Sequence, residues 1–331
     1  MVSTPNRLTL PTVLLTLAAA ACGDSQPQTD AAPAAQPAAQ SAATAVPDVV
    51  RTADPAARGY TDADFPRVQE VAPDVYTYEA LRTFGDDRVA TVSMFVVTTD
   101  GVLVADGQGS PQETQALIDA IGEVTDQLIT TVVVGSDHPD HSGGNSAFPA
   151  SATFLSHPTS AARLRERGGT PGTIETVDTE RALTMGGKSI RVLHLGRAHT
   201  GGDLVVHLPQ ESVVFMGEVF MNRVFPSMAS SYPQEWVATI QAAEALGEDV
   251  YLPGHGFVDP PAVLAEELNT FRGAIQAIIV EVDHVFGEGA AVEEALGRTL
   301  GELETWTRAE SLRESAIRRV YADLSGELVI G

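Results

Sequence analysis

Two histidines and an aspartate stand within four residues of one another, at His138, Asp140 and His141, just before a pair of glycines. They follow an apolar run, residues 128–134, that is typical of a buried β-strand. Imidazole and carboxylate groups are the ligands that a catalytic zinc or a similar ion takes. Glycines let the backbone turn closely around such an ion. The segment therefore predicts a metal site at the end of a strand.

Further carboxylate and imidazole side chains each stand directly after a strand-like run. They are Asp106, His199, Glu218 and His255. Because α/β folds gather their chemistry at strand ends, we expect these side chains to converge on the first three.

The order of these motifs resembles the signature of the metallo-β-lactamase-fold hydrolase superfamily. That signature reads His-x-His-x-Asp-His, followed by a distant His, an Asp that bridges two metals and a last His. The positions of this chain that match it are His138, Asp140, His141, His199 and His255. The resemblance covers roughly residues 71–286, and its specificity lies in the ordered set of motifs.

Two positions depart from the signature. Ser136 stands where its first His belongs, and Glu218 stands where its bridging Asp is usual. The resemblance implies that one metal site, which takes three histidines in the superfamily, keeps only His138 and His199 and gains Glu218. A serine hydroxyl is a poor zinc ligand beside imidazole, so we interpret Ser136 as a lost ligand near the metal and not as a nucleophile.

The second metal site that the resemblance implies is complete, with Asp140, His141 and His255 all present. The implied cofactor is zinc, as one or two ions, with iron or manganese as alternatives, and we expect a content nearer one ion than two. Asp140 is assigned two roles, as metal ligand and as the catalytic acceptor that orients the attacking water. We expect Asp106 to hold a ligand-bearing loop by hydrogen bonds from behind the metal.

The resemblance implies an exported, metal-dependent hydrolase of an ester, thioester, lactone or β-lactam bond. Two other functions remain open, an iron-dependent oxidoreductase of sulfur species on the same fold and a degenerate, non-enzymatic module that binds metal or ligand. Asn222 and Arg223 follow Glu218 closely, which predicts that they belong to the pocket wall, with plain loop and helix packing as the alternative. Arg223 is the side chain we expect to bind a substrate carboxylate.

The charge balance narrows the choice of partners. The chain has 44 acidic and 20 basic residues and a formal net charge of -24. Such a surface repels phosphate backbones, so we expect a small-molecule substrate and no nucleic acid.

The N-terminus is typical of an export signal. Arg7 precedes an apolar stretch, residues 8–21, that is too short to span a bilayer and ends at Cys22, the only cysteine. A lone cysteine after small residues resembles a bacterial lipobox, which predicts a periplasmic or cell-envelope lipoprotein that touches the membrane only through Cys22. Ordinary signal cleavage with an incidental cysteine is the alternative. Residues 1–22 are thus the signal, and the Ala-, Pro- and Gln-rich residues 23–60 are predicted to be a disordered linker.

The order of predicted elements indicates an α/β (α+β) fold, a four-layer αβ/βα sandwich, over residues 61–286. Ser110 and Pro111 have the chemistry of a helix start, and the helix should run to about residue 124. A strand over residues 212–216 should end just before Glu218, and a long helix should run from Pro261 to about residue 284. The amphipathic residues 287–331 are predicted to form a C-terminal helical extension.

Overall fold

The computed structural model describes Met1 and residues 46–328. The predicted export signal, Cys22 and the linker as far as residue 45 lie outside the described residues, as do residues 329–331. In the part of the chain that is described, no helix is both long and apolar enough to cross a membrane.

Strands and helices alternate through most of the described chain. The strands are β1 Arg67–Ala72, β2 Val75–Phe84, β3 Asp87–Thr98, β4 Gly101–Ala105, β5 Ile129–Val134, β6 Thr153–Ser156, β7 Thr173–Thr176, β8 Glu180–Met185, β9 Lys188–Leu193, β10 Val205–Leu208, β11 Val213–Met221 and β12 Val250–His255. The helices are α1 Pro111–Val124, α2 Pro139–Ser142, α3 Pro158–Glu166, α4 Pro233–Glu244, α5 Pro261–Gly287, α6 Val292–Leu296 and α7 Ala309–Leu324.

The twelve strands form one hydrogen-bonded sheet that divides into two halves at a seam, and we call the halves the first and the second sheet. The hydrogen-bonded order is β7-β6-β5-β4-β3-β12-β11-β10-β9-β8, and β2 pairs with β1 and with β3. One edge of β3 pairs with β4 through residues 94–98, and farther along it meets β12. A single residue pair, Thr91 opposite His255, carries the ladder between β3 and β12. We call this pair the seam, because β1–β7 lie on one side of it and β8–β12 on the other.

Side chains alternate between the two faces of the first sheet, and each face packs into a different core cluster. Leu103 and Val133 belong to the larger core cluster, which also contains side chains of the second sheet. Their neighbours Val104 and Val132 point the other way and pack with Leu117 of α1. Helices α4 and α5 contact β11 and β12 of the second sheet. Two sheets with helices outside them make the predicted αβ/βα sandwich, which is confirmed.

The folded part of the chain begins before residue 61, so the predicted linker boundary shifts. Ala53 is fully buried in the larger core cluster. The Arg58 guanidinium donates hydrogen bonds of 2.6 and 2.9 Å to the two carboxylate oxygens of Asp259 and lies 4.3 Å from the Phe257 ring centroid. The composition of this segment is that of a linker, but ion pairs of two arginines hold it against the folded domain. The second of these arginines is Arg51, which pairs with Glu267 at 3.0 Å.

The C-terminal segment packs into the domain and is not an appendage. Helix α7 lies against α5, and its Ile317 and Val320 are buried in the larger core cluster. Just before α7, the Thr307 carbonyl accepts a 2.9 Å hydrogen bond from the Phe225 N–H. Helix α5 runs to Gly287, three residues beyond the predicted end at His284.

Candidate active site

The structure brings six of the predicted site residues together in two overlapping clusters of carboxylate and imidazole groups. We call them the inner cluster, made of Asp140, His141, Glu218 and His255, and the outer cluster, made of His138, His199 and Glu218. In each cluster the facing ligand atoms lie within 4.8 Å of one another. Glu218 belongs to both, which is the place that a bridging ligand would take.

The spacing of the inner cluster fits a tetrahedral ion. His255 Nε2 lies 3.1 Å from His141 Nε2, 3.2 Å from Asp140 Oδ2 and 3.4 Å from Glu218 Oε1. Two donor atoms that are each about 2.1 Å from a tetrahedral zinc are about 3.4 Å apart. These side chains therefore stand where ligands of one cation would stand.

The outer cluster has similar spacing but only three side chains. His199 Nε2 lies 2.8 Å from His138 Nδ1 and 3.1 Å from Glu218 Oε1, and His138 Nδ1 lies 3.1 Å from Glu218 Oε2. The His138 side chain is 23% exposed, whereas the Glu218 side chain is 4% exposed. Two histidines and one carboxylate thus face the pocket.

Ser136 holds the shared carboxylate. Its fully buried hydroxyl donates a 2.5 Å hydrogen bond to Glu218 Oε2 and accepts one of 3.2 Å from the His138 N–H. The extra methylene of Glu218, relative to the aspartate of the superfamily signature, brings its carboxylate within reach of this hydroxyl. Ser136 and Glu218 are therefore one hydrogen-bonded unit.

Asp106 stands behind the inner cluster. Its Oδ1 accepts hydrogen bonds from the N–H groups of Gly135 at 2.6 Å and Ser136 at 3.3 Å, at the start of the loop that carries the ligands. Its Oδ2 lies 3.2 Å from His141 Nδ1, so the carboxylate faces the imidazole directly. Burial raises the pKa of Asp106, and His141 with the two N–H groups opposes that rise.

Asp203 is a supporting residue that the sequence reasoning missed. It is buried, and it accepts hydrogen bonds from the Thr200 N–H at 2.7 Å and the Thr200 hydroxyl at 2.5 Å, directly after His199. A Thr-x-x-Asp pattern is a known signal for such a local bond. On its other side, His199 lies against the indole of Trp236, with 5.3 Å between ring centroids.

Glu218 lies inside a strand and not after one. Strand β11 continues to Met221, five residues beyond the predicted end, and its register with β12 shifts around Gly217. Gly217 has φ +52°, and a Cβ on Gly254 of β12 would lie 2.5 Å from its carbonyl carbon. The two backbones approach so closely that Gly254 admits no side chain.

The buried carboxylates of the two clusters favour positive charge on the groups that face them. Burial lowers the pKa of His255 and His138, but the carboxylates of Glu218 and Asp140 outweigh it and raise these values to about 10 and about 9. Burial likewise raises the pKa of Glu218, yet the imidazoles of His199 and His138 hold it well below its usual value. An anionic cluster with facing nitrogens is a chemical fit for a divalent cation.

Asn222 and Arg223 do not line the pocket, contrary to prediction. The Asn222 amide donates to the Phe257 carbonyl at 2.8 Å and to Asp259 at 3.0 Å. Arg223, at φ +59°, donates hydrogen bonds of 2.5 and 3.0 Å to the two carboxylate oxygens of Glu267 on α5. Nearness to Glu218 in sequence did not reveal that the chain turns toward α5 after β11.

The pocket over the clusters has apolar walls and one further cation. Its remaining lining includes Phe84, Val89, Met221, Val224, Ser227 and Arg308. Arg308 comes from the C-terminal segment, and no sequence motif marked it.

A protein-family sequence model, described as the Metallo-beta-lactamase superfamily, matches residues 86–255. These are slightly more than half of the 331-residue chain. The chain therefore belongs to the metallo-beta-lactamase superfamily, as its motifs indicated, and with it to a class of metal-dependent hydrolases.

Its relatives include enzymes named for β-lactam hydrolysis. It is 21% identical to the metallo-beta-lactamase type 2 of Bacillus sp. (strain 170) over 210 residues, which are 62% of this chain and 82% of the relative. It is 20% identical to the type 2 enzyme of Bacillus cereus, with the same shares covered. The solved metallo-beta-lactamase from Pontibacter korlensis superposes with a TM-score of 0.57 at 21% identity, over 63% of this chain and 98% of the other. At this identity the structural likeness shows the fold alone.

Proposed function

We propose that this protein is an exported hydrolase that uses metal-activated water on an ester, thioester, lactone or β-lactam bond of a small molecule. The observation that carries the proposal is the position of Glu218, whose Oε1 lies 3.1 Å from His199 Nε2 and 3.4 Å from His255 Nε2. One carboxylate thus joins two imidazole clusters at the base of one pocket. The relatives named above support a β-lactam or a related acyl bond as the target.

The inner cluster is the main metal site of this proposal. Asp140, His141 and His255, with Glu218, would hold the ion, and zinc suits a ligand set of imidazole and carboxylate. When bound, zinc lowers the pKa of a coordinated water from 15.7 to about 7 and polarises the substrate carbonyl. Iron or manganese would be accepted by the same donor types, so metal identity is a part of the test.

The protein side chains supply orientation and exclude bulk water. Asp140, with a 15% exposed side chain, lines the pocket and accepts the hydrogen bond that aims the attacking water at the substrate. Phe84, Met221 and Val224 form apolar walls that strengthen electrostatic interactions inside the pocket. Ser136 keeps Glu218 in place and takes no part in bond cleavage.

The localisation is a further part of the proposal. The apolar residues 8–21 and Cys22 support export and lipid attachment, and residues 23–45 would then be the tether. Globomycin should make a lipid-modified, uncleaved precursor accumulate in the membrane, whereas Cys22→Ala should abolish lipid attachment. A soluble wild-type protein that carries no lipid by mass spectrometry would contradict the anchor.

A panel of chromogenic substrates on protein of known metal content tests the enzyme. We expect hydrolysis of at least one ester, thioester, lactone or cephalosporin, in proportion to bound zinc. His255→Ala should abolish it, whereas His284→Ala should preserve it because His284 is a 59% exposed side chain on α5. Iron with oxygen uptake on sulfur substrates would indicate the oxidoreductase, and metal binding without any turnover would indicate a binding module.

A further inference from the structure

We propose that Arg308 recognises a carboxylate on the substrate, so that the hydrolase acts on molecules that carry an anionic group beside the scissile bond. This inference rests on the proposed function and deepens it. Arg308 lies outside residues 86–255 that match the superfamily, so the C-terminal segment of this chain contributes a part of the pocket.

The backbone holds Arg308 beside the strand that carries Glu218. Thr307 forms a parallel bridge with Val224, and its carbonyl accepts the Phe225 N–H at 2.9 Å. Arg308 itself has φ +69°, a left-handed conformation that non-glycine residues adopt at a cost. The surrounding contacts fix this conformation and direct the side chain to the pocket.

The Phe84 ring lies between the Arg308 guanidinium and His255 of the inner cluster. Its central carbon lies 4.2 Å from the Phe84 ring centroid, and the Phe84 ring meets His255 edge-on at 5.9 Å. Arg308 lines the same pocket as Asp140 and His138. A substrate whose carbonyl is at the metal centre can therefore reach Arg308 with a neighbouring group.

Arg308 lies over the Phe84 ring, but no carboxylate of the described residues is within ion-pair distance of its guanidinium. Its buried Nε has no hydrogen-bond acceptor among those residues. Arg223, by contrast, is held by Glu267, and its guanidinium carbon lies 5.2 Å from the Trp306 ring centroid. Because Arg308 lines the pocket and no carboxylate pairs with it, its guanidinium is available to an anionic ligand.

A carboxylate is the group that this cation fits. A guanidinium remains charged at all relevant pH values and binds a carboxylate through two parallel N–H bonds. The net charge of -24 repels anions from the surface at large, so an anionic substrate needs a local cation inside the pocket. Binding at two points, the metal centre and Arg308, would also orient the scissile bond.

Two esters that differ by one carboxymethyl group provide the test, 4-nitrophenyl acetate and 4-nitrophenyl hydrogen succinate. For the zinc-loaded full chain, Arg308→Gln should lower kcat/KM about 10- to 100-fold on the succinate ester and leave the acetate ester nearly unchanged. Arg308→Lys should retain part of the preference, mainly as a higher KM. Arg318→Gln is the matched control, because Arg318 is exposed on α7 and pairs with Glu314. Equal losses on both esters, or none on either, would overturn the inference.

A binding measurement separates this inference from the proposed function. Titration calorimetry with succinate should detect binding to the zinc-loaded wild type and to Arg318→Gln, and a loss of at least tenfold for Arg308→Gln. If the wild type cleaves neither ester nor any panel substrate, the hydrolase proposal fails, while selective loss of succinate binding still supports the anion site. Equal succinate binding by all three proteins, with equal melting temperatures, removes the anion site whatever the turnover.

Discussion

The inner and outer clusters share Glu218, but the protein supports them very differently. His255 closes strand β12 and takes part in the seam, with its Nδ1 3.3 Å from the Ala90 carbonyl, and His141 is buried next to Asp106. The His138 side chain of the outer cluster is 23% exposed, and its Nε2 lies 3.1 Å from the hydroxyl of Ser230, which is on a loop. The difference teaches that the cluster with a missing superfamily ligand is also the one with the weaker scaffold. We therefore expect the inner cluster to bind the first cation.

The largest expected effect comes from removing one imidazole on each side of Glu218. His255→Ala should lower zinc affinity and turnover by more than the 10- to 100-fold typical of a residue that only supports a ligand. His138→Ala should cost less, because the inner cluster keeps four potential ligands without it. Zinc titration and metal analysis measure the order, and an equal or greater loss in His138→Ala would reverse the ranking of the clusters.

The next effect concerns the unit formed by Ser136 and Glu218. Wild-type protein should contain nearer one zinc than two, and the double variant Ser136→His/Glu218→Asp, which restores the superfamily ligands, should approach two. Ser136→His alone should reduce activity, because it removes the 2.5 Å bond and places an imidazole against the longer carboxylate. Ser136→Ala is the control without a new ligand. Two firmly bound zinc ions in the wild type would refute the expected stoichiometry.

A smaller effect is expected from the carboxylates that stand behind the ligands. Asp106→Asn should weaken the first zinc about 10- to 100-fold, since it neutralises the charge facing His141. Asp203→Asn, which loosens the loop after His199, should leave that first affinity nearly unchanged and affect only a second ion. The two variants form a matched pair, and the same loss from both would mean that the clusters do not act separately.

The smallest effect is a pH dependence of stability behind the inner cluster. Glu79 is fully buried and accepts the Val258 N–H at 3.2 Å, three residues after His255, and burial raises its pKa from 4.5 to about 7. Between these values the folded protein retains a proton that the unfolded chain has released, so the free energy of unfolding falls as pH rises. Glu79→Gln should remove this slope. Melting temperatures from pH 4.5 to 8 measure it, and parallel curves for both proteins would contradict the assignment.

Short-range interactions between neighbouring residues allowed several helices and strands to be predicted from the sequence alone. Helix α1 begins at Pro111 and ends at Val124 as predicted, and the Ser110 hydroxyl accepts the Glu113 N–H at 3.2 Å. The ligand motifs were readable for a similar reason, because each lies at or near the end of a buried strand, where side-chain type carries the information.

Features that depend on distant contacts were not readable. The sequence shows no reason why β11 continues past Gly217, since the pairing partner that extends it lies more than 30 residues away in β12. For the same reason the sequence placed Arg223 in the pocket and gave no role to Arg308. Which arginine faces the pocket is decided by Glu267 on α5 and by the bridge of Thr307 with Val224, and neither contact leaves a local pattern.

The seam has a mechanical consequence for the whole domain. Asp140 and His141 follow a strand of the first sheet, whereas Glu218 and His255 belong to the second, and the ladder between β3 and β12 is one residue pair. A cation in the inner cluster would be bound by side chains of both sheets, next to the seam where a single residue pair joins them. Metal binding would then couple the melting of both sheets and raise the resistance of the whole molecule to proteases, because ligation stabilises only the folded form.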